Sequence, residues 1–333
     1  ETVAVPTTTR VGQRPAFGQP AGGGMILRVG LGLTLFVGSM GVGWWLNRRG
    51  ILTEARSSRL VRWIVMGPSP VVLCLSFWQM DLTRLDPWLL PLIGTLSSAS
   101  TLIPAFLYAR SARLSAPQTG SFLTCAFFSN LGYLGAFTAF ALFGEAAYGL
   151  CVLYFVYFSP CFYTLGFWIS SHYGQRTTPS GLMTAFNSEL RFFPFAGMLV
   201  GAALSVARLP RPVPLEWLNH VLIPVDTALY LIAIGSQLTL VSPRPWLRPC
   251  LAMSGIKFLY TPLVAWLLVN LFHIEGLPRL VVLLEASTPV GVSPLVLPLL
   301  FGLDRRLSNA LWLFTTALAI PWLLVIIPVL QRL

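Results

Sequence analysis

The stretch Leu284-Glu-Ala-Ser-Thr-Pro-Val-Gly-Val-Ser-Pro-Leu-Val-Leu-Pro298 limits the fold more than any other part of the chain. It lies in an apolar run of membrane-spanning length, yet Pro289, Pro294 and Pro298 each lack a backbone donor and clash with the preceding turn. Gly291 adds backbone freedom. A continuous helix is not expected here. In hydrocarbon, freed N–H and C=O groups are costly unless satisfied, so a broken span must sit inside a bundle or line a cavity. Broken helices meeting near the midplane are the usual substrate and ion sites of secondary transporters, with half-helix N-termini turned toward anions.

Composition sets the environment: 55% of the 333 residues are hydrophobic and 10% are charged, which leaves no room for a sizeable soluble domain. The chain reads as an all-α integral membrane protein. Its formal net charge of +11 would suggest nucleic acid in a soluble chain. Here, however, the arginines collect between apolar runs, so the lipid bilayer is the expected partner and no nucleic acid is implied. The five cysteines (Cys74, Cys125, Cys151, Cys161 and Cys250) lie in apolar runs without metal spacing and read as packing residues.

Residues 1–24 are rich in Thr, Pro and Gly and lack the apolar core of a signal peptide. They read as a disordered tail, and since Met25 opens the first apolar run, as an upstream extension of the working chain. At about 20 residues per span, ten spans follow: 26–46, 60–78, 88–110, 120–142, 146–170, 181–206, 216–240, 247–271, 278–300 and 307–330. Arginine is concentrated in the odd connections (Arg48, Arg49, Arg56, Arg59, Arg62; Arg110, Arg113; Arg176; Arg244, Arg248; Arg305, Arg306). The positive-inside rule then makes these cytoplasmic and puts both termini outside.

An internal repeat organises these spans. Pro87-Trp-Leu-Leu-Pro91 recurs as Pro245-Trp-Leu-Arg-Pro249, an offset of 158 residues that also maps Pro104 onto Pro262, Ser129 onto Ser287 and Leu142-Phe-Gly144 onto Leu300-Phe-Gly302. Three matches in one register argue for duplication of a five-span unit. An odd number of spans forces the copy to be inverted. The expected units are 25–172 (spans one to five) and 173–333 (spans six to ten).

The repeat predicts that the fourth span breaks where the ninth does, within Ser129-Asn-Leu-Gly-Tyr-Leu-Gly-Ala-Phe137, with Gly132 and Gly135 as the hinge. Close helix packing is the bland reading of these glycines. Asn130, beside the hinge, can donate and accept and is the first choice for a substrate contact. Lys257, the only lysine, falls in span eight, where a central charge costs about 2.5–3.5 kcal/mol. It either donates to carbonyls freed at the ninth-span break or attracts an anion. Glu285, one turn before Pro289, either carries a coupling proton or pairs with Lys257. Asp226 reads as solvated near the outer surface, Gln237 as structural, and Tyr154, Tyr157 and Ser159-Pro160 as a packed kink with an aromatic site lining as the second reading. His172, His220 and His273 sit near span ends, and no metal, nucleotide or hydrolase motif accompanies them. An enzyme is not expected, and neither is a cofactor.

Asn130-x-Gly-x-x-Gly135 ending in Leu-Phe-Gly144, Gly235-Ser-Gln-Leu238, Ala286-Ser-Thr-Pro289 with Phe301-Gly-Leu-Asp304, and Gly50-Ile-Leu-Thr-Glu54 with Pro70 resemble the auxin efflux carrier family, within the bile-acid, auxin and arsenite carrier superfamily. The resemblance runs from about Met25 to the C-terminus. It implies ten transmembrane helices as a 5+5 inverted repeat with broken, crossing fourth and ninth helices. The implied function is secondary transport of a small organic anion, auxin-like or another carboxylate, across the inner membrane, in an assembly compatible with a homodimer. Ser129, Asn130, Gly132, Thr288 and Pro289 would frame the substrate site; Gly132, Gly135, Pro289, Gly291 and Pro294 would form the breaks; Lys257 and Glu285 would support charge or coupling. Phe137 stands where the family usually has proline, and an aromatic ring there is expected to narrow the site. A sodium-coupled symporter of the bile-acid type and a non-transporting ligand sensor are the alternatives.

Overall fold

The computed structural model describes residues 22–83, 86–175, 192–238 and 241–330. Most of the N-terminal tail and residues 181–191 of the expected sixth span therefore lie outside the described residues. Gly22–Gly24, assigned to the tail, instead open the first helix.

The described elements are helical. They are α1 (Gly22–Arg48), α2 (Glu54–Met66), α3 (Pro68–Gln79), α4 (Asp86–Ser100), α5 (Leu102–Ser111), α6 (Ala116–Phe127), α7 (Ala136–Phe143), α8 (Glu145–Tyr154), α9 (Phe158–Cys161), α10 (Phe167–Tyr173), α11 (Phe192–Val206), α12 (Val213–Ser236), α13 (Leu247–Gly255), α14 (Thr261–Leu271), α15 (Gly276–Ala286), α16 (Leu297–Phe301) and α17 (Arg305–Leu330). Many of these are segments of one longer rod. Among the described residues six rods are long and apolar enough to cross a membrane: Glu54–Gln79, Pro87–Ser111, Glu145–Tyr173, Val213–Ser236, Arg244–Leu271 and Arg305–Val329.

Local chemistry explains the interruptions. Gly67 ends α2, and Pro68, with no donor to lose in a first turn, starts α3. Ser115 and Gln118 form a capping box at the start of α6, which satisfies two N–H groups the helix leaves free. Gly144 (φ +82°) and Gly302 (φ +70°) both end a helical segment at a positive φ that glycine adopts at low cost, Gly302 in the left-handed conformation. The rod of α8 to α10 is interrupted by a turn at Phe155–Tyr157 and then winds through a π-helical turn, Phe162–Gly166.

Polarity is distributed inside out. Trp63, Trp168, Trp217, Leu259 and Leu271 are exposed, whereas Thr101, Asn219, Lys257, Glu285 and Thr315 are buried. Such a surface fits lipid rather than water, and the chain is a multi-pass membrane protein.

Packing divides the bundle. α1 lies on α12, α12 also packs on α2 and α3, and α11 packs on α3; the remaining helices surround α6, α7, α15 and α16. The two groups meet where α7 touches α1 and α12 and where α8 touches α3. Small residues permit the tightest crossing: a Cβ on Gly43 would overlap the Ile232 carbonyl, and one on Gly235 the Met40 carbonyl. Gly235→Val should therefore force α1 and α12 apart. The expected cost is about 1–3 kcal/mol, read as a lower melting temperature in detergent, while valine at Gly38, where a Cβ meets nothing, leaves it unchanged.

Candidate functional site

Two breaks face each other. The first, Phe128–Asn130, separates α6 from a π-helical turn, Leu131–Gly135, that leads into α7. The second separates α15 from a short 3-10 turn, Ser293–Val296, that leads into α16. Asn130 N donates to the Pro289 carbonyl at 2.8 Å and Gly291 N to the Phe128 carbonyl at 2.9 Å, so Ser129 and Val290 pair as an isolated antiparallel bridge. Each break thus satisfies groups that the other sets free. Gly291 is required for the approach, because a Cβ there would lie 2.7 Å from the Ser129 carbonyl oxygen.

The first break falls earlier than the glycines expected to make it. Asn130, at φ −84° and ψ 63°, is the last non-helical residue, and Gly132 and Gly135 lie within the turn that follows. Gly135 serves packing: a Cβ on it would collide with the Glu285 carboxylate.

Side chains complete the accounting. Lys257, carried on a π-helical turn between α13 and α14, donates to the Ala126 carbonyl at 2.6 Å and to Ser129 Oγ at 2.8 Å. It therefore supports the first break, not the ninth-span break expected from sequence. The alternative pairing of Lys257 with Glu285 does not occur. Among the described residues, no donor apart from the weak Sγ–H of Cys151 reaches either Glu285 carboxylate oxygen. Thr288 Oγ1 turns back to the Glu285 carbonyl at 2.7 Å, and Val290 N is held by Thr315 Oγ1 at 3.2 Å.

A cavity of about 900 Å³ adjoins the breaks. Ser129, Asn130 and Gly132 line it, together with Val292 and Ser293 from the second break; Thr288, Pro289, Lys257 and Glu285 do not. Asn130 is 2% exposed, and its Nδ2 has no partner. The segments starting at Leu131 and Ser293 bring two helix N-termini to the same wall, a setting that favours negative charge. Across the cavity, Asp226 is buried and accepts from Ser69 Oγ at 2.8 Å, which corrects the solvated surface role expected for it. Tyr157, Ser159 and Pro160 of the kink line the cavity as well. Phe137 does not narrow it, for the ring packs beside Phe140, with centroids 6.3 Å apart, and lies against Gly32 of α1.

A family model described as membrane transport protein matches residues 33–327. The chain belongs to that family. This is the auxin efflux carrier family its motifs resemble. Two relatives are described only as uncharacterized transporters. One, from Methanothermobacter thermautotrophicus, is 25% identical over 84% of this chain and 91% of its own length. The other, from Methanocaldococcus jannaschii, is 26% identical over 83% of this chain and 90% of its own length.

Near the cavity of this transporter lies a polar clasp that sequence reasoning missed. Glu145 opens α8 directly after Gly144 and receives both terminal nitrogens of Arg211, with Nη2 to Oε2 at 2.9 Å. Arg211 also donates to the Leu75 carbonyl and to Gln79 Oε1, each at 2.9 Å. Asn219 of α12 donates to Glu145 Oε1 and lies 3.0 Å from Ser76 Oγ. The clasp ties α8 to α3 and α12, one turn from the cavity residue Tyr148. An acid just after a glycine helix stop was its only local signal.

Removing one member of a buried ion pair leaves the other charge uncompensated, at a cost of about 3–5 kcal/mol. Arg211→Ala should lower stability by that order in the native background and by much less in a Glu145→Ala background. A double-mutant cycle on melting temperatures measures the difference; equal losses in both backgrounds would show that the pair is not coupled.

Proposed function

We propose that this transporter is a secondary carrier of a small organic anion that works by alternating access across the inner membrane. In this reading the chain forms ten spans as a 5+5 inverted repeat, with units 25–172 and 173–333. α1, α2 with α3, α11 and α12 serve as the scaffold against which the helices bearing the two breaks move. The observation that carries the reading is Asn130: a buried amide with unused donors, on a wall where two helix N-termini converge. A carboxylate placed there would find the donors that the chain itself leaves free.

With the arginine-rich odd connections inside, the connection that holds Arg211 is an outer one, so in this reading the clasp closes the outer end and both termini lie outside. Reorientation then requires Glu145 to part from Arg211 or the two to move together.

Flux into proteoliposomes, with a panel of labelled carboxylates and with or without proton and sodium gradients, tests the reading. Saturable uptake is expected, and Asn130→Ala should weaken apparent affinity about tenfold or more, the worth of one hydrogen bond to a charged group. Binding without flux would instead support a sensor.

Glu285 supports a coupling role, because both its oxygens are largely free of donors directly behind the break. If it carries the coupling proton, Glu285→Gln should retain exchange between internal and external substrate while losing acceleration by a proton gradient. An unchanged response to the gradient would remove Glu285 from coupling.

A further inference from the structure

Asp226 takes no part in the breaks or in the anion site, and its position defines a second pole of the cavity. It sits on α12, is 8% exposed, and faces the lumen shared with Asn130. It accepts a hydrogen bond from the neutral hydroxyl of Ser69 on α3, itself a lining residue. Among the described lining residues Asp226 is the only carboxylate, and none of them is Lys, Arg or His. The described ion pair, Arg211 with Glu145, lies elsewhere.

A carboxylate drawn out of water against one neutral donor is expensive unless something positive completes it. Nothing in the described wall does so. The breaks have the reverse character: Asn130 Nδ2 finds no acceptor among the described residues, and helical segments begin beside it at Leu131 and at Ser293. Between the poles the lining is aromatic, with Tyr133 stacked on Tyr230 at 4.5 Å between ring centroids. Aromatic faces receive a cation as readily as an apolar skeleton.

We propose that the substrate is amphoteric: a carboxylate bound at the breaks and a protonated amine bound by Asp226 and Ser69. This rests on the carrier reading above and narrows it from organic anions in general to amino-acid-like ones. A simple monocarboxylate would leave Asp226 uncompensated, and a dicarboxylate would set a second negative charge against it, so the acid discriminates by repulsion as well as attraction. Its place on α12, opposite the breaks, gives it a further consequence. If the breaks carry the substrate across while α12 stays fixed, the amine leaves Asp226 during transit, and recognition of that end is confined to this state.

The test uses the purified full chain and matched pairs of compounds that share a skeleton and differ by the amine: 3-phenylpropanoate with phenylalanine, butanedioate with aspartate, and butanoate with 4-aminobutanoate. Saturable thermal stabilisation gives apparent affinities for the native protein, Asp226→Asn, Ser69→Ala and Asn130→Ala. In at least one pair the amino member should bind about tenfold tighter to the native protein. That preference should fall to about unity in Asp226→Asn and partway in Ser69→Ala, the second variant serving if the first fails to fold. Tighter binding of the amine-free member in every pair, or a preference untouched in both variants, overturns the proposal. If those carboxylates still lose affinity in Asn130→Ala, the carrier reading survives alone. No saturable stabilisation by any compound sinks both.

Discussion

Everything near the centre of this molecule depends on two backbone hydrogen bonds, Asn130 to Pro289 and Gly291 to Phe128. A helix broken in hydrocarbon leaves donors and acceptors that water cannot reach, and one break alone would be a defect of several kcal/mol. Two breaks brought together cancel much of each other's deficit. The remainder is divided among Lys257, Thr101 and Thr315, which serve Ala126 O, Ser129 Oγ and Val290 N. Neither break is tolerable without the other, so the helices carrying them are obliged to cross.

That obligation separates support from recognition. Lys257, which supports the crossing, gives two donors to the chain and does not line the cavity. Asn130 uses its backbone N–H for the crossing while its side-chain Nδ2 has no partner among the described residues. One residue therefore couples the geometry of the break to whatever occupies the cavity: a ligand on its side chain bears directly on the strand that keeps the two halves together.

How much of this was legible in the sequence followed from how local each cause is. Pro289, Pro294 and Gly291 announce a break because missing donors and backbone freedom are properties of single residues. The first break has no proline; its existence was inferred from the repeat, and it falls before the glycines that stand out there, of which Gly135 is needed for the close approach of Glu285 rather than for the bend. Lys257 was seen to need partners, but the π-helical turn that carries it alters the helical register, and spacing could not say which break it would reach. Asp226 was misplaced for a similar reason: which face of α12 looks inward is fixed by the Gly43 and Gly235 crossing with α1. Glu145 and Arg211 stand 66 residues apart, and nothing local to either identifies the other.

The clasp and the breaks also divide the mechanical problem. Apolar contact between the two helix groups is non-directional, and small displacements change its energy gradually. The clasp is the opposite kind of contact. Arg211 satisfies Glu145, Gln79 and the Leu75 carbonyl in one geometry, and a shift of a few ångströms would strip a buried charge of its partners. A bundle with only the first kind of interface would slide continuously and leak; one with both has a defined closed end and a threshold for leaving it. Asp226 and Ser69 link α12 and α3 within the same cavity, so a cationic group bound there adds to the load on that interface. Occupancy of the cavity and integrity of the clasp thus bear on the same pair of helices, which is the arrangement a carrier needs if an empty site and a filled one are to move with different ease.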